Sequence, residues 1–398
     1  MRTTSATYRS TWTGRRFKKT ISDARTISYL LCGAVITLLP PGRALADSDD
    51  KGGQFIPPII VSSTVPANGD LNPYGVAFVP REFPRGGLLK PGDLLVSNFN
   101  NGMNQQGTGT TIIKLTLNGS VAPSGSATVF FQGTAPLGLT TALGVLKRGF
   151  VLVGNLPTKA GVLIPGQPDS LSIIDKNAHV VTTLADTILL DGPWDLTIHD
   201  EGNRAQVFVS NVLNGTVSRI DLLLGGGAAP VVTSIIQIAS GYGFRTDPSA
   251  LVVGPTGLAY DAKKDVLYVA STDDNTIFKV LHAGSTSQSA VKGTIVFRSN
   301  NLRGPLGLVL APNGDLITSN GDAVNADPSH PSEIVEFTQT GKFVGQFNVD
   351  AGPGGAFGIG LDSRGDNKVH FAAVDDNAND ISVHSLSAEG RGEGEESQ

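Results

Sequence analysis

A chain of 398 residues, with 16% charged residues and 49 glycines, is too long for one small core and too poor in charge for a bundle of solvated helices. Its net charge is −5 and no basic stripe runs through it, which excludes a nucleic-acid surface. Cys32 stands alone, so neither a disulfide within the chain nor a site of several thiolates can form.

The N-terminus reads as an export signal. Arg2, Arg9, Arg15, Arg16, Lys18, Lys19 and Arg25 precede an apolar run over residues 27–39, and Ala44-Leu45-Ala46 is a small-x-small cleavage site. The run is shorter than the ~20 residues a membrane-spanning helix needs. Phe17 follows Arg15-Arg16 directly, where a twin-arginine motif has one residue between, so both export routes stay open. Removal of residues 1–46 leaves 22 basic against 34 acidic residues and no cysteine. A periplasmic or secreted product is expected, with no stable membrane span after cleavage.

Residues 55–62, Phe-Ile-Pro-Pro-Ile-Ile-Val-Ser, form an isolated apolar strand whose prolines fit only a sheet edge. A meander grammar then recurs six times. Its clearest copy has a first strand at Gly254-Pro255-Thr256-Gly257-Leu258 and a second at Val266-Leu267-Tyr268-Val269-Ala270. The polar turn Ser271-Thr272-Asp273-Asp274-Asn275 leads to a third strand at Thr276-Ile277-Phe278, and Thr294-Ile295-Val296-Phe297 is the fourth. The other copies begin at Pro73-Tyr74-Gly75, Pro136-Leu137-Gly138, Pro193-Trp194-Asp195, Pro305-Leu306-Gly307 and Phe357-Gly358.

Four-stranded meanders stacked radially bury both faces, so the expected fold is all-β: a six-bladed β-propeller of four-stranded antiparallel meanders over residues 47–386. The sixth copy lacks a fourth strand, and the segment at 55–62 is expected to supply it and close the ring. Residues 387–398, rich in Glu and Gly, read as a disordered acidic tail.

The Pro-x-Gly first strand, the Tyr268-Val269-Ala270 second strand and the Asn-bearing turn before Thr276-Ile277 resemble the NHL-repeat family of β-propellers. The resemblance covers residues 55–386. It departs at the end of the second strand, where the family's Asp is Asn98, Asn155, Asn211, Ser271 and Asn320, and Val374 or Asp375 in the sixth copy. The resemblance implies an exported binding or scaffold module for a protein, peptide or polar ligand on its loop-rich face.

The alternative is a hydrolase, lyase or lactonase with a divalent cation in the central channel. Gluconolactonase-type propellers hold that metal on Glu, Asn and Asp. The matching first-strand positions here are Tyr74, Leu137, Trp194, Thr256, Leu306 and Phe357, so neither catalytic residues nor metal ligands are assigned. The candidate ligand site is instead an aromatic floor of Tyr74, Trp194 and Phe357 under a rim of Asn98, Asn155, Asn211 and Asn320. The same rim residues serve equally well to satisfy their own turns. No cofactor is expected beyond calcium at the acidic turns Asp273-Asp274-Asn275 or Asp375-Asp376-Asn377, and tight hairpins account for both. No two of the six histidines stand at ligand spacing within one motif, and only His370 and His384 share a copy.

Overall fold

The second strand of each repeat lies inside a sheet that has another sheet on either side. Such a strand is apolar on both faces rather than alternating. Asp93–Asn100, Phe150–Asn155, Val266–Ser271 and Leu316–Asn320 are accordingly buried at every residue. In the computed structural model the described residues run from 58 to 387, apart from 118–119, 165, 168, 226, 322–323, 325–332 and 364–367. Among them are six four-stranded antiparallel sheets and two short hairpins. No helix occurs among them, and so none that is long and apolar enough to cross a membrane.

The architecture is a six-bladed β-propeller. The inner strands are Leu71–Phe78, Leu139–Leu146, Pro193–Asp200, Pro255–Asp261, Pro305–Leu310 and Ala356–Ser363. Each is an edge strand, hydrogen-bonded to its own blade on one side only. Apolar side chains fill the spaces between blades, as where Phe297 of blade four stacks on Phe337 of blade five with ring centroids 4.5 Å apart.

The ring closes as the missing sixth fourth strand requires. Ile60–Ser63 pairs antiparallel with Asp380–Ser387, Ile60 opposite Val383 and Ser63 opposite Asp380. Residues 55–57 of the predicted closing segment lie outside the described residues, as do the predicted signal over 1–46 and the tail beyond Ser387.

Register corrects the blade-two alignment and resolves the open one in blade six. Pro73, Pro193, Pro255 and Pro305 sit opposite Asn98, Asn211, Ser271 and Asn320. In blade two the residue opposite Asn155 is Leu139, not Pro136, and a bulge separates Leu139 from Leu143. Leu137 therefore precedes the strand, and Thr140 and Thr141 take the place of Tyr74. Spacing misled because Gly138 fills the pre-strand position: its N–H donates to Asn155 Oδ1 at 2.8 Å and its carbonyl accepts from Leu156 N–H. In blade six Asp375, not Val374, ends the second strand opposite Ala356. The residue before the first-strand proline takes a left-handed backbone in several blades, at Gly192 (φ 67), Gly304 (φ 70) and Asn72 (φ 60).

Candidate functional site

At the loop-rich end the three predicted aromatic residues do come together, but as a plug. Tyr74 stacks on Phe357 at 4.7 Å and on Phe99 at 4.8 Å, and Trp194 packs edge-on against Tyr74 at 5.7 Å and Phe99 at 5.4 Å. All four rings are buried. The short hairpin of Arg245–Asp247 and Leu251–Val253 covers them, leaving a void of only about 20 Å³ between Val252, Trp194 and Phe357. Burial, and secondarily the charge of Asp376, raises the pKa of the Tyr74 hydroxyl. Phe99, the penultimate residue of Asp93–Asn100, completes the plug and carried no signal in the repeat pattern.

The four asparagines are buried beneath the rim. Each hydrogen-bonds to its own blade or to the connection entering it. Asn98 Nδ2 donates to the Thr64 carbonyl at 3.1 Å, Asn211 Nδ2 to Leu189 at 3.1 Å and Asn320 Nδ2 to Asn301 at 2.6 Å. Asn155 Nδ2 donates to Ser170 Oγ at 3.2 Å. The second-strand Asn thus pins the blade's entry loop, a structural use that the turn chemistry of Asn favours.

The acidic turns are also tied inward. Asp273 pairs with Arg245 at 2.8 Å and Asp274 with Lys292 at 2.7 Å. Asp375 accepts the N–H of Asn377 at 3.0 Å within its own hairpin.

The other end of the channel is open. A cavity of about 350 Å³ runs along the six inner strands. Its mouth is rimmed by one half-buried side chain from each blade: Phe78, Val145, Ile198, Tyr260, Leu310 and Leu361. The walls are largely polar, because the inner strands turn their unpaired backbone edges towards the axis.

Among the described residues one carboxyl lines this channel, that of Asp195. It occupies the position that is Gly75, Gly257, Gly307 and Gly358 in other blades. Those glycines are dictated by crowding: a Cβ at Gly358 would collide with the Tyr74 carbonyl, and one at Gly257 with that of Leu306. At the step from blade three to blade four the strands leave room for a carboxyl instead. Asp195 Oδ1 accepts from Leu196 N–H at 2.7 Å, and the Leu258 N–H of the next blade also donates to it. Protein surrounds the group, although channel space reaches it. That burial drives its pKa well above the usual carboxylate range despite the two N–H bonds. The signal for Asp195 was in the sequence, as the one acid in the Pro-x-Gly motif, but spacing alone does not reveal the channel.

Beside the open mouth lies a cleft of about 740 Å³ that shares Tyr260 with it. Tyr260 donates to Asp265 Oδ1 at 2.9 Å, and burial followed by that carboxylate raises its pKa. His199 leans on the Tyr260 ring at 5.6 Å, and Arg204 lines the same cleft.

A divalent cation of the gluconolactonase kind needs several oxygen ligands converging at the loop-rich mouth. Among the described residues the side chains there are aromatic or aliphatic apart from Thr272, whose hydroxyl already donates to the Pro305 carbonyl, so the residues present do not fit it. Among the described residues no group of three or more His, Cys, Asp or Glu is placed to share a metal ion.

No family model matches the chain, and no curated protein matches it. Solved structures similar to it include a gluconolactonase from Xanthomonas campestris (13% identity, 84% of this chain and 97% of that one, TM-score 0.49). Another is the calcium-binding protein regucalcin from Agrobacterium tumefaciens (13% identity, 85% and 96%, TM-score 0.47). A luciferin-regenerating enzyme is similar at 12% identity, with 84% and 96% covered and a TM-score of 0.48. Likeness at this level transfers no chemistry to the chain.

Proposed function

We propose that this chain is an exported, NHL-like binding propeller that admits a polar ligand through the open end of its channel. The observation that supports this reading is the asymmetry of the channel. Four packed rings and a hairpin close the loop-rich end, while the opposite end leads past an apolar collar to a carboxyl set among backbone polar groups. A hydroxyl- or amine-bearing group of the ligand meets Asp195, and the cleft beside Tyr260 holds the part that stays outside. This relocates binding from the loop-rich face to the opposite one.

The alternative, a hydrolase, lyase or lactonase, has one observation in its favour. A carboxyl of raised pKa lining the channel is suited to general acid chemistry. The poor fit to a channel metal means that no metal-assisted step follows from it.

The test is a thermal-shift screen of sugars, amino acids, short peptides and lactones against the chain lacking residues 1–46, and against its Asp195→Ala variant. Binding predicts a ligand that raises Tm in the parent and loses at least tenfold in affinity in the variant, about 1.4 kcal/mol. Equal affinity in both proteins removes Asp195 from the site. Turnover of a lactone by the parent, abolished in Asp195→Asn, favours the enzyme instead.

A further inference from the structure

The channel is blind. The packed rings and the hairpin of Arg245–Asp247 and Leu251–Val253 close it at the loop-rich end, and Trp194 of that plug is followed directly in its strand by Asp195. The carboxyl therefore stands at the base. A polymer reaches it only by an end, never by a stretch from its middle.

Two features of the walls select the kind of end. The first is charge. Among the described residues Asp195 is the one charged side chain lining the channel, and no Lys, Arg or His lines it. Its donors are the N–H groups of Leu196 and Leu258. An ionised carboxylate accepts about four hydrogen bonds, so about two places remain for a donor from outside. A cationic donor supplies the counter-charge that the lining lacks. The second feature is the backbone. The inner strands run from plug to collar, as from Tyr74 to Phe78, Trp194 to Ile198 and Phe357 to Leu361. Each is hydrogen-bonded on one side only, so its free edge offers N–H and C=O groups at the spacing of extended backbone. The donors and acceptors of an extended peptide repeat at that same spacing, as in strand addition. The end of such a peptide that carries a cation is its free amine.

We propose that the channel takes the free N-terminus of an extended peptide, with its α-ammonium on Asp195 and about three residues between there and the collar at Ile198. The strand rises about 10 Å from Asp195 to Ile198, which sets that length. Entering amine first, the peptide lies parallel to the inner strands. At the level of Asp195 these strands crowd together: a Cβ at Gly257, Gly307 or Gly358 would collide with a carbonyl oxygen of the neighbouring blade. The first residue is therefore small, Gly, Ala or Ser. The third is apolar, because it meets Phe78, Val145, Ile198, Leu310 and Leu361 at the collar. The rest of the peptide leaves past Tyr260 into the cleft beside the mouth. The proposal rests on the reading that the open end is the ligand's entrance.

The experiment is a calorimetric titration of the full chain with Ala-Ala-Leu-amide and with its N-acetylated form. The free amine should bind at one site, at least about tenfold more tightly than the acetylated peptide. Asp195→Asn keeps the shape of the side chain and should abolish that difference. The comparison of the two peptides in the parent needs no variant and decides by itself. Equal affinity for both, or no saturable binding of the free amine at millimolar concentration, overturns the proposal. So does a preference for the free amine that survives in Asp195→Asn, which places the ammonium on another acid. The polar-ligand reading fails separately, when no sugar, amino acid or lactone in the thermal-shift screen depends on Asp195.

Discussion

Asn379 does at the seam of the ring what Asn275 does between blades four and five. Both hold a left-handed backbone, φ 53 and φ 48, at the turn after a second strand. Asn275 Oδ1 accepts from Gly304 N–H at 2.8 Å, and Asn379 Oδ1 accepts from Asn72 N–H at 2.7 Å, each reaching the head of the next inner strand. At the seam the Asn379 carbonyl also accepts from Thr64 N–H at 3.0 Å and Thr64 Oγ1 at 2.9 Å. One residue thereby holds the sixth blade to the first inner strand and to the segment that enters it. Asn379→Ala loses the side-chain bond and puts a Cβ without local hydrogen bonding into the left-handed region, at a cost of about 2 kcal/mol. Asn379→Gly loses the bond but relaxes the backbone, and should cost about 1 kcal/mol. Urea unfolding of the three proteins checks the order; an Ala variant as stable as the parent removes the latch.

At the scale of elements, the hairpin of Arg245–Asp247 and Leu251–Val253 decides which end of the channel is open. It is held outside by the Arg245–Asp273 ion pair and by Gln106 Nε2, which donates to the Ser249 carbonyl at 3.1 Å, and inside by Val252 over the rings. Val252→Asp places a carboxylate against the aromatic plug and should lift the hairpin. Trp194 is the only tryptophan beyond residue 46 and reports on this directly. In the chain lacking the N-terminal 46 residues, acrylamide should quench Trp194 weakly in the parent and several-fold more strongly in the variant. Equal quenching would mean that the hairpin is not what shields the ring. This element was invisible in the repeat pattern, because it is an insertion between blades three and four with no counterpart between other blades among the described residues. The inner strands were legible, since Pro-x-Gly marks both an edge strand and a crowded axis. The closing strand was legible too, from two prolines at one end of the chain and a missing strand at the other. Plug and pocket could not be told apart, because Tyr74, Trp194 and Phe357 are the same residues whether they line a cavity or fill it. The asparagines were ambiguous for a related reason: a side chain with donors and an acceptor serves a turn or a ligand equally well, and only burial decides.

For the molecule as a whole, two sets of carboxyls pull stability in opposite directions with pH. Hydrogen bonds from Leu189 and Ile188 N–H hold Asp186 below its ordinary pKa. Burial opposes the same effect at Asp265 and Asp274, but Ser285, Gly284 and Tyr260 outweigh it at the first and Lys292, Gly243 and Ser271 at the second. These groups stabilise the fold above the unfolded carboxylate value near 4, and their contribution is lost as pH falls below it. The second set is raised. Burial lifts Asp169 to about 7, with the charge of Asp191 adding to it, and lifts Asp376 to about 7 and Asp380 to about 6, with the charge of Asp375 adding to both. Asp195 is raised by burial as well. For these the folded chain keeps protons that the unfolded chain has released, so stability falls as pH climbs from about 4 towards 7 and levels off beyond. The two slopes together place the Tm maximum at about pH 4–5, lower than is usual for a soluble domain. Asp376→Asn removes one ionisation at a carboxyl with no hydrogen-bond partner, so it should raise Tm at pH 8, leave Tm near pH 4 unchanged and flatten the decline between them. Thermal unfolding across pH 4–8 in a constant-ionic-strength buffer measures this, and a Tm that rises steadily from pH 5 to pH 8 in the parent would show that these carboxyls are ionised in the fold and stabilised there by partners.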